Sequence, residues 1–405
     1  MALVGGFVAL VFLYSLVSRR LERTPLTAPV LFTAAGLLIP ALLPELRSRQ
    51  ADPKLFLQIA EVGLVMLLFT DASRVDLRLL RGMRSLPLRL LSTGMLLTIL
   101  LGALAALVVF RQLSVWEAGI LAAILAPTDA GLGQVIVSSA RVPQRIRQAL
   151  NVEAGLNDGL SVPFLLFFMA RAGAGAEGGG AGLARFLAEQ LGGGVLIGLA
   201  VGLVGGWLLE RAQRASWMAA SAQQLGVVAL PLACILASEA AGASMFIAAF
   251  VAGLAVQLRF GEVGRHAAEF AEQWGQLLNY SVFFLFGILV GREWHGFHPA
   301  LLLYAALSLT VVRLLPVALA LAGTGLDRAS VLFMGWFGPR GLASIVLGLV
   351  YLESVTHQGG EPIIRQAVMV TVLLSVFAHG LSAYPGIGLY ARSGAAPDPS
   401  PVEGR

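Results

Sequence analysis

Apolar residues run along this chain in long blocks, each closed by a short polar, proline or glycine segment. A bilayer core about 30 Å thick takes about 20 apolar residues per helix. Thirteen blocks fit that length, roughly 2–18, 25–44, 55–72, 86–109, 115–138, 148–170, 185–209, 223–240, 243–258, 275–291, 298–322, 328–352 and 364–386, with the eighth and ninth close together. The pattern predicts an all-α polytopic membrane protein of about thirteen transmembrane helices. Gly173 to Gly182 reads as a flexible linker. The block Ala2 to Val17 has neither a basic leader nor a small-residue cleavage site, so it reads as a span, not a signal peptide.

Composition narrows the class. Of the 405 residues, 57% are hydrophobic and 13% charged, too little polar surface to coat a water-soluble particle of this size. The net charge of +5 is not a nucleic-acid signal, because 27 of the 28 basic residues are arginines scattered between apolar blocks. Arginine there reports topology. Loops after odd-numbered spans hold 18 basic residues and loops after even-numbered spans hold 8. This places the odd loops in the cytoplasm, the N-terminus outside and the C-terminus inside, in a cell (inner) membrane. Cys234 is the lone cysteine and offers no disulfide or redox motif.

An ionisable group at mid-bilayer costs at least about 2.5–3.5 kcal/mol, so each needs a partner, a wet cavity or a function. The candidates are Asp71 in span three, Asp129 in span five, Glu153 and Asp158 in span six, Arg313 in span eleven and Arg340 in span twelve. Glu61 and Glu239 lie nearer span ends, where snorkelling suffices. Span five carries Pro127-Thr128-Asp129 at its centre and span twelve carries Gly338-Pro339-Arg340-Gly341. Proline frees backbone carbonyls in a helix, and an interrupted span in each half is the mark of an inverted-repeat transporter whose broken helices meet at the midplane. In span six, Glu153 and Asn157 share a face while Asp158 is turned about 100° away. Two such carboxylates cannot both stay ionised in a low dielectric without a cation. Arg340 is the expected partner of Glu153, which leaves Asp158 free to trade a proton for a metal cation, with Asp129 as companion.

At these residues the sequence resembles the monovalent cation/proton antiporters of the NhaP/NHE type, in the branch with an Asn-Asp pair. The matching features are Pro-Thr-Asp at 127–129, Glu-x-x-x-Asn-Asp at 153–158, Gly-Pro-Arg-Gly at 338–341 and Leu-Leu-Phe-Thr-Asp-Ala-Ser at 67–73. The resemblance implies that Asp158 binds ion and proton, that Asp129, Thr128 and Asp71 stand beside it, and that Na⁺ lies on Asp158 and Asp129. Asn157 would shape the site, Glu153 would pair with Arg340, and Arg313 would brace the core. Members often carry a serine after the glutamate, where this chain has Ala154.

The resemblance further implies a homodimer; small residues favour close helix contact, so glycine-rich span seven, together with span one, is a candidate for its interface. Within a membrane domain over 1–391, a core of about 86–171 and 298–391 would move against a dimerisation scaffold of about 1–85 and 185–292, and residues 392–405 would form a short cytoplasmic tail. The implied activity is exchange of Na⁺ or Li⁺ for H⁺, one for one, with no cofactor, no nucleotide-binding domain and no enzymatic reaction. K⁺/H⁺ antiport in the same fold is the nearest alternative. Organic-anion symport is more remote, because the core is acid-rich, and so is an intramembrane protease, because His379 is the lone histidine well inside a span.

Overall fold

The computed structural model describes residues 2–21, 24–42, 53–74, 86–173, 185–186, 188–258, 264–354 and 359–393. Most of the glycine-rich linker and the tail after 393 lie outside them. The described residues are helical, without strands: α1 Ala2–Leu21, α2 Ala28–Leu42, α3 Pro53–Arg74, α4 Leu86–Val109, α5 Val115–Ile124, α6 Ala130–Val137, α7 Gln144–Gly173, α8 Ala188–Arg214, α9 Ala220–Ala241, α10 Met245–Val256, α11 Gly264–Glu293, α12 Pro299–Leu309, α13 Val311–Ala320, α14 Arg328–Trp336, α15 Leu342–Ser354 and α16 Glu361–Arg392.

Nine of the described helical stretches are long and apolar enough to cross a membrane, and four shorter apolar helices fall in the second, fifth, ninth and twelfth apolar blocks. The chain is a multi-pass membrane protein. Block eleven is interrupted at Thr310 alone, whereas blocks five and twelve open into gaps of five residues near their middle. Span five stops at Ile124 and resumes at Ala130, and span twelve stops at Trp336 and resumes at Leu342. Each gap contains a proline, Pro127 or Pro339, which cannot donate a helical hydrogen bond.

Packing sorts the helices into two groups. In one, α2 lies along α11, α8 along α10, and α3 touches α9, α10 and α11. In the other, α5 packs on α4 and α7, α16 on α12, and α13 on α14. The groups meet where α3 touches α7 and α15. Aromatic rings fasten α1 to the first group: Phe7 and Tyr14 lie against Phe32 of α2, and Phe7 and Tyr14 also reach Phe284 and Tyr280 of α11.

The glycines of span seven are used inside the chain. Gly194, Gly198, Gly202 and Gly206 form the buried face of α8, and a Cβ at Gly198 or Gly202 would stand 2.5 Å or 2.6 Å from a backbone carbonyl of α10. Small residues thus serve a helix contact within one protomer. The opposite face of α8 (Leu196, Val204, Leu208) and one face of α1 (Val4, Val8, Phe12, Leu16) are exposed and apolar.

Candidate functional site

A broken helix exposes carbonyls at the end of its first half and N–H groups at the start of its second. Here each break supplies the partner for the other. Arg340, from the gap in span twelve, donates from Nη1 to the carbonyls of Ala126 (2.7 Å) and Pro127 (3.0 Å) in the gap of span five. In return Asp129 accepts the N–H of Leu342, first residue of α15, on Oδ2 at 2.7 Å. Its Oδ1 caps its own half-helix by accepting the N–H of Leu132 at 2.8 Å. The backbone joins directly as well, Asp129 N–H donating to Pro339 O at 2.8 Å. A cation faces the negative end of one half-helix and an anion faces two positive ends, the favourable sense for both.

The two glycines of Gly-Pro-Arg-Gly make this approach possible. A Cβ on Gly341 would lie 2.1 Å from Asp129 Oδ2, and a Cβ on Gly338 would lie 2.3 Å from Arg313 Nε. The path over Gly338 carries Arg313 from α13 to Glu153 on α7. Nη1 meets Oε1 at 2.5 Å and Nη2 meets Oε2 at 2.9 Å, with both side chains almost fully buried.

This corrects the expected pairing of Glu153 with Arg340. Arg340 Nη1 is bonded to the freed carbonyls, its backbone N–H is held by Ser375 Oγ at 2.6 Å, and Arg313 reaches the glutamate because Gly338 has no side chain in the way. His379 packs beside Ser375, its Nδ1 2.9 Å from the Ser375 carbonyl and its ring against Trp336, a structural placement.

On the Glu153 face of α7, one turn further on, Asn157 donates from Nδ2 to Thr128 Oγ1 at 2.7 Å. Its Oδ1 is buried without a hydrogen-bond partner. Asp158 points elsewhere, as the helical geometry requires. It lines a cavity of about 800 Å³ together with Asp71, Asp129, Gly155, Gln276 and Asn279. Asp158 Oδ1 is buried with no hydrogen-bond partner, and the Asp129 and Asp71 carboxylates line the same cavity. Asp71 of α3 packs 3.5 Å from the point a Gly155 Cβ would occupy, one turn of α7 from Asp158. Ala154 is buried and brings no hydroxyl to the site.

The site residues read from the sequence therefore divide. Asp158, Asp71 and Asp129 meet at the cavity, while Glu153, Arg313, Arg340, Asn157 and Thr128 hold the breaks and α7 together behind it. The cavity runs to one end of the molecule only in its polar lining: Thr24 and Thr27 between α1 and α2, Gln134 on α6, and Gln144, Arg147 and Gln148 at the start of α7. Toward the other end, Ile120, Leu121 and Ile124 of α5, Val162 and Leu165 of α7, and Val346 and Leu347 of α15 are packed in one buried cluster. Asn279, Gln276 and Gln148 escape a search for ionisable groups because they are neutral. The signal available in the sequence was an amide inside an apolar span, as at Asn279.

The sequence model of the family described as sodium/hydrogen exchanger, transmembrane, matches residues 6–385. The Na(+)/H(+) antiporter NhaP of Pseudomonas aeruginosa is 26% identical over 423 residues, covering 95% of each chain. A Na(+)/H(+) antiporter of Schizosaccharomyces pombe is 23% identical over 314 residues, 69% of this chain and 66% of that one. The solved sodium proton antiporter MjNhaP1 of Methanocaldococcus jannaschii has the same fold, with a TM-score of 0.74 at 21% identity over 94% of this chain and 99% of that one. With its two breaks, its paired charges and its cavity acid in place, the chain belongs to the sodium/hydrogen exchanger family, a family of transporters and not of enzymes.

Proposed function

We propose that this protein exchanges Na⁺, and also Li⁺, for H⁺ one for one by letting the two compete for Asp158. The observation that carries the reading is the state of the buried acids. Glu153 is neutralised by Arg313, Asp129 holds a backbone N–H on each oxygen, and Asp158 faces the cavity with a buried oxygen that no donor reaches. Asp71 and Asp129 complete the oxygen-rich wall around the cation.

The coupling follows from charge. Ionised and empty, Asp158 would have to carry a bare negative charge through a low-dielectric barrier, at a cost of several kcal/mol. Carrying either a proton or an alkali cation, Asp158 no longer bears a bare charge, and the switch between access states is open to it. The core of about 86–171 and 298–391 would then move against the scaffold of about 1–85 and 185–292, in a homodimer. The two packing groups of helices support this division. The arginine count supports an N-terminus outside and a C-terminus in the cytoplasm of the cell (inner) membrane, with thirteen spans. On that orientation the cavity opens to the cytoplasm, since Thr24, Gln144 and Arg147 adjoin odd-numbered loops.

Exchange of Na⁺, Li⁺ and K⁺ against H⁺ in proteoliposomes tests the reading. Asp158→Asn abolishes exchange in a protein that still folds, and undiminished transport by this variant would end the assignment. In the wild type the KM for Na⁺ rises as pH falls, by about tenfold per pH unit once protons dominate the carboxylate, as competition for one group demands.

A further inference from the structure

Asn279 stands on α11, among the helices that pack with α2 and α3 and not among those that carry the breaks. It is 7% exposed, lines the same cavity as Asp158, and its Oδ1 is buried with no hydrogen-bond partner. Its Nδ2 lies 3.6 Å from the point that a Gly131 Cβ would occupy, and Asp129 Oδ1 lies 3.1 Å from the same point. Asn279 thus meets the first turn of α6 at the carboxylate end of the cavity. Two oxygens of cavity-lining side chains, Asp158 Oδ1 and Asn279 Oδ1, lack a hydrogen-bond donor. Both are acceptors, and burying acceptors without a partner is costly. A small hard cation is the kind of partner that satisfies several oxygens at once.

We propose that Asn279 is a specificity-determining ligand whose amide oxygen joins the shell of the alkali cation held by Asp158. The inference rests on the reading of Asp158 given above and adds to it a contact from the other helix group. An amide oxygen is neutral, so it strengthens cation binding without changing the charge of the loaded site. A proton is carried on the carboxylate itself and has no such shell to fill. Asn279 therefore separates the two competitors: it raises the affinity for the cation and leaves the affinity for the proton where Asp158 and its charged neighbours set it. It belongs to the group of helices that does not move with Asp158, so its oxygen acts on the side where the cavity is open.

Calorimetric titration of the purified full-length protein with NaCl and LiCl, paired with exchange in proteoliposomes, tests this. Asn279→Ala and Asn279→Leu raise the Kd and KM for Na⁺ by about tenfold, the loss of one good contact. The pH of half-maximal exchange at saturating Na⁺ stays in place. Asn279→Asp, which keeps an oxygen in the same position and nearly the same shape, holds the Na⁺ affinity within about threefold. A Na⁺ affinity unchanged in the alanine variant overturns the proposal, as does an equal shift in the proton profile, which would mean that Asn279 acts through Asp129. Should the alanine and leucine variants fail to fold, a large affinity loss in Asn279→Asp overturns it instead. Asp158→Asn is run alongside: if that variant is inactive while Asn279→Ala binds Na⁺ normally, only the Asn279 assignment falls, whereas an active Asp158→Asn removes the reading beneath it.

Discussion

Glu153 and Asp158 are both carboxylates on α7, little more than a turn apart, and they meet opposite surroundings. The face with Glu153 looks toward the breaks, where Arg313 supplies two hydrogen bonds and Asn157 and Thr128 bond to each other. The face with Asp158 looks into a cavity walled by other acids and amides. A carboxylate gripped by a permanent cation has no reason to bind a transient one. The contrast teaches that in this helix partner geometry, and not residue type, sorts a paired carboxylate from one open to the cavity.

Three substitutions strain that contrast, in order of expected size. Arg313→Met strands Glu153 as an uncompensated buried charge and should destabilise the fold by about 3–5 kcal/mol, visible as a large drop in thermal midpoint in detergent. Adding Glu153→Gln should recover much of that loss, because the stranded charge is then gone. If the single variant melted like the wild type, the fixed half of the contrast would be wrong.

Gly341→Ala pushes a methyl group against Asp129 Oδ2. Overpacking of this sort costs about 1–3 kcal/mol, and exchange should fall with stability because the cap on α15 is displaced. Thermal melts and proteoliposome flux on one preparation would measure both. Asn157→Asp has the smallest effect on stability where the new acid is protonated, about 1 kcal/mol, since the amide that donates to Thr128 is replaced and the hydroxyl must turn round. Its effect on coupling is sharper. An acid on the Glu153 face with no arginine of its own adds a titrating charge about one residue from Asp158 and should make exchange carry net charge, which a voltage-sensitive dye in the liposomes would register; silent exchange would show that this position does not enter the stoichiometry.

Much of this was legible in the chain. The separation of Glu153 and Asn157 from Asp158 follows from a period of 3.6 residues, and the breaks of spans five and twelve fall where Pro127 and Pro339 stand beside a charge and glycines, whereas Pro163 and Pro385 sit inside continuous helices. The pairing of Glu153 was not legible, because two arginines in different spans were chemically equivalent candidates. Choosing between them required knowing that Gly338 lies under the path from α13, a fact of three-dimensional approach. The glycines of α8 posed the same difficulty. Their spacing announces close helix contact, but whether the neighbour is α10 of the same chain or a second copy depends on the packing of the whole. Asn279 was missed for a different reason: a neutral amide costs less in a membrane than a charge and so draws less notice, while its oxygen is as fit for an alkali cation as any carbonyl.

The mutual completion of the two breaks limits how the protein can work. Sliding one interrupted helix past the other would strip Arg340 of two carbonyls and Asp129 of the Leu342 amide at a single stroke, all in a dry interior. In the exchange proposed above the pair therefore travels as one piece, and the give lies at its borders, along α3 and the contacts of α7 and α15 with it.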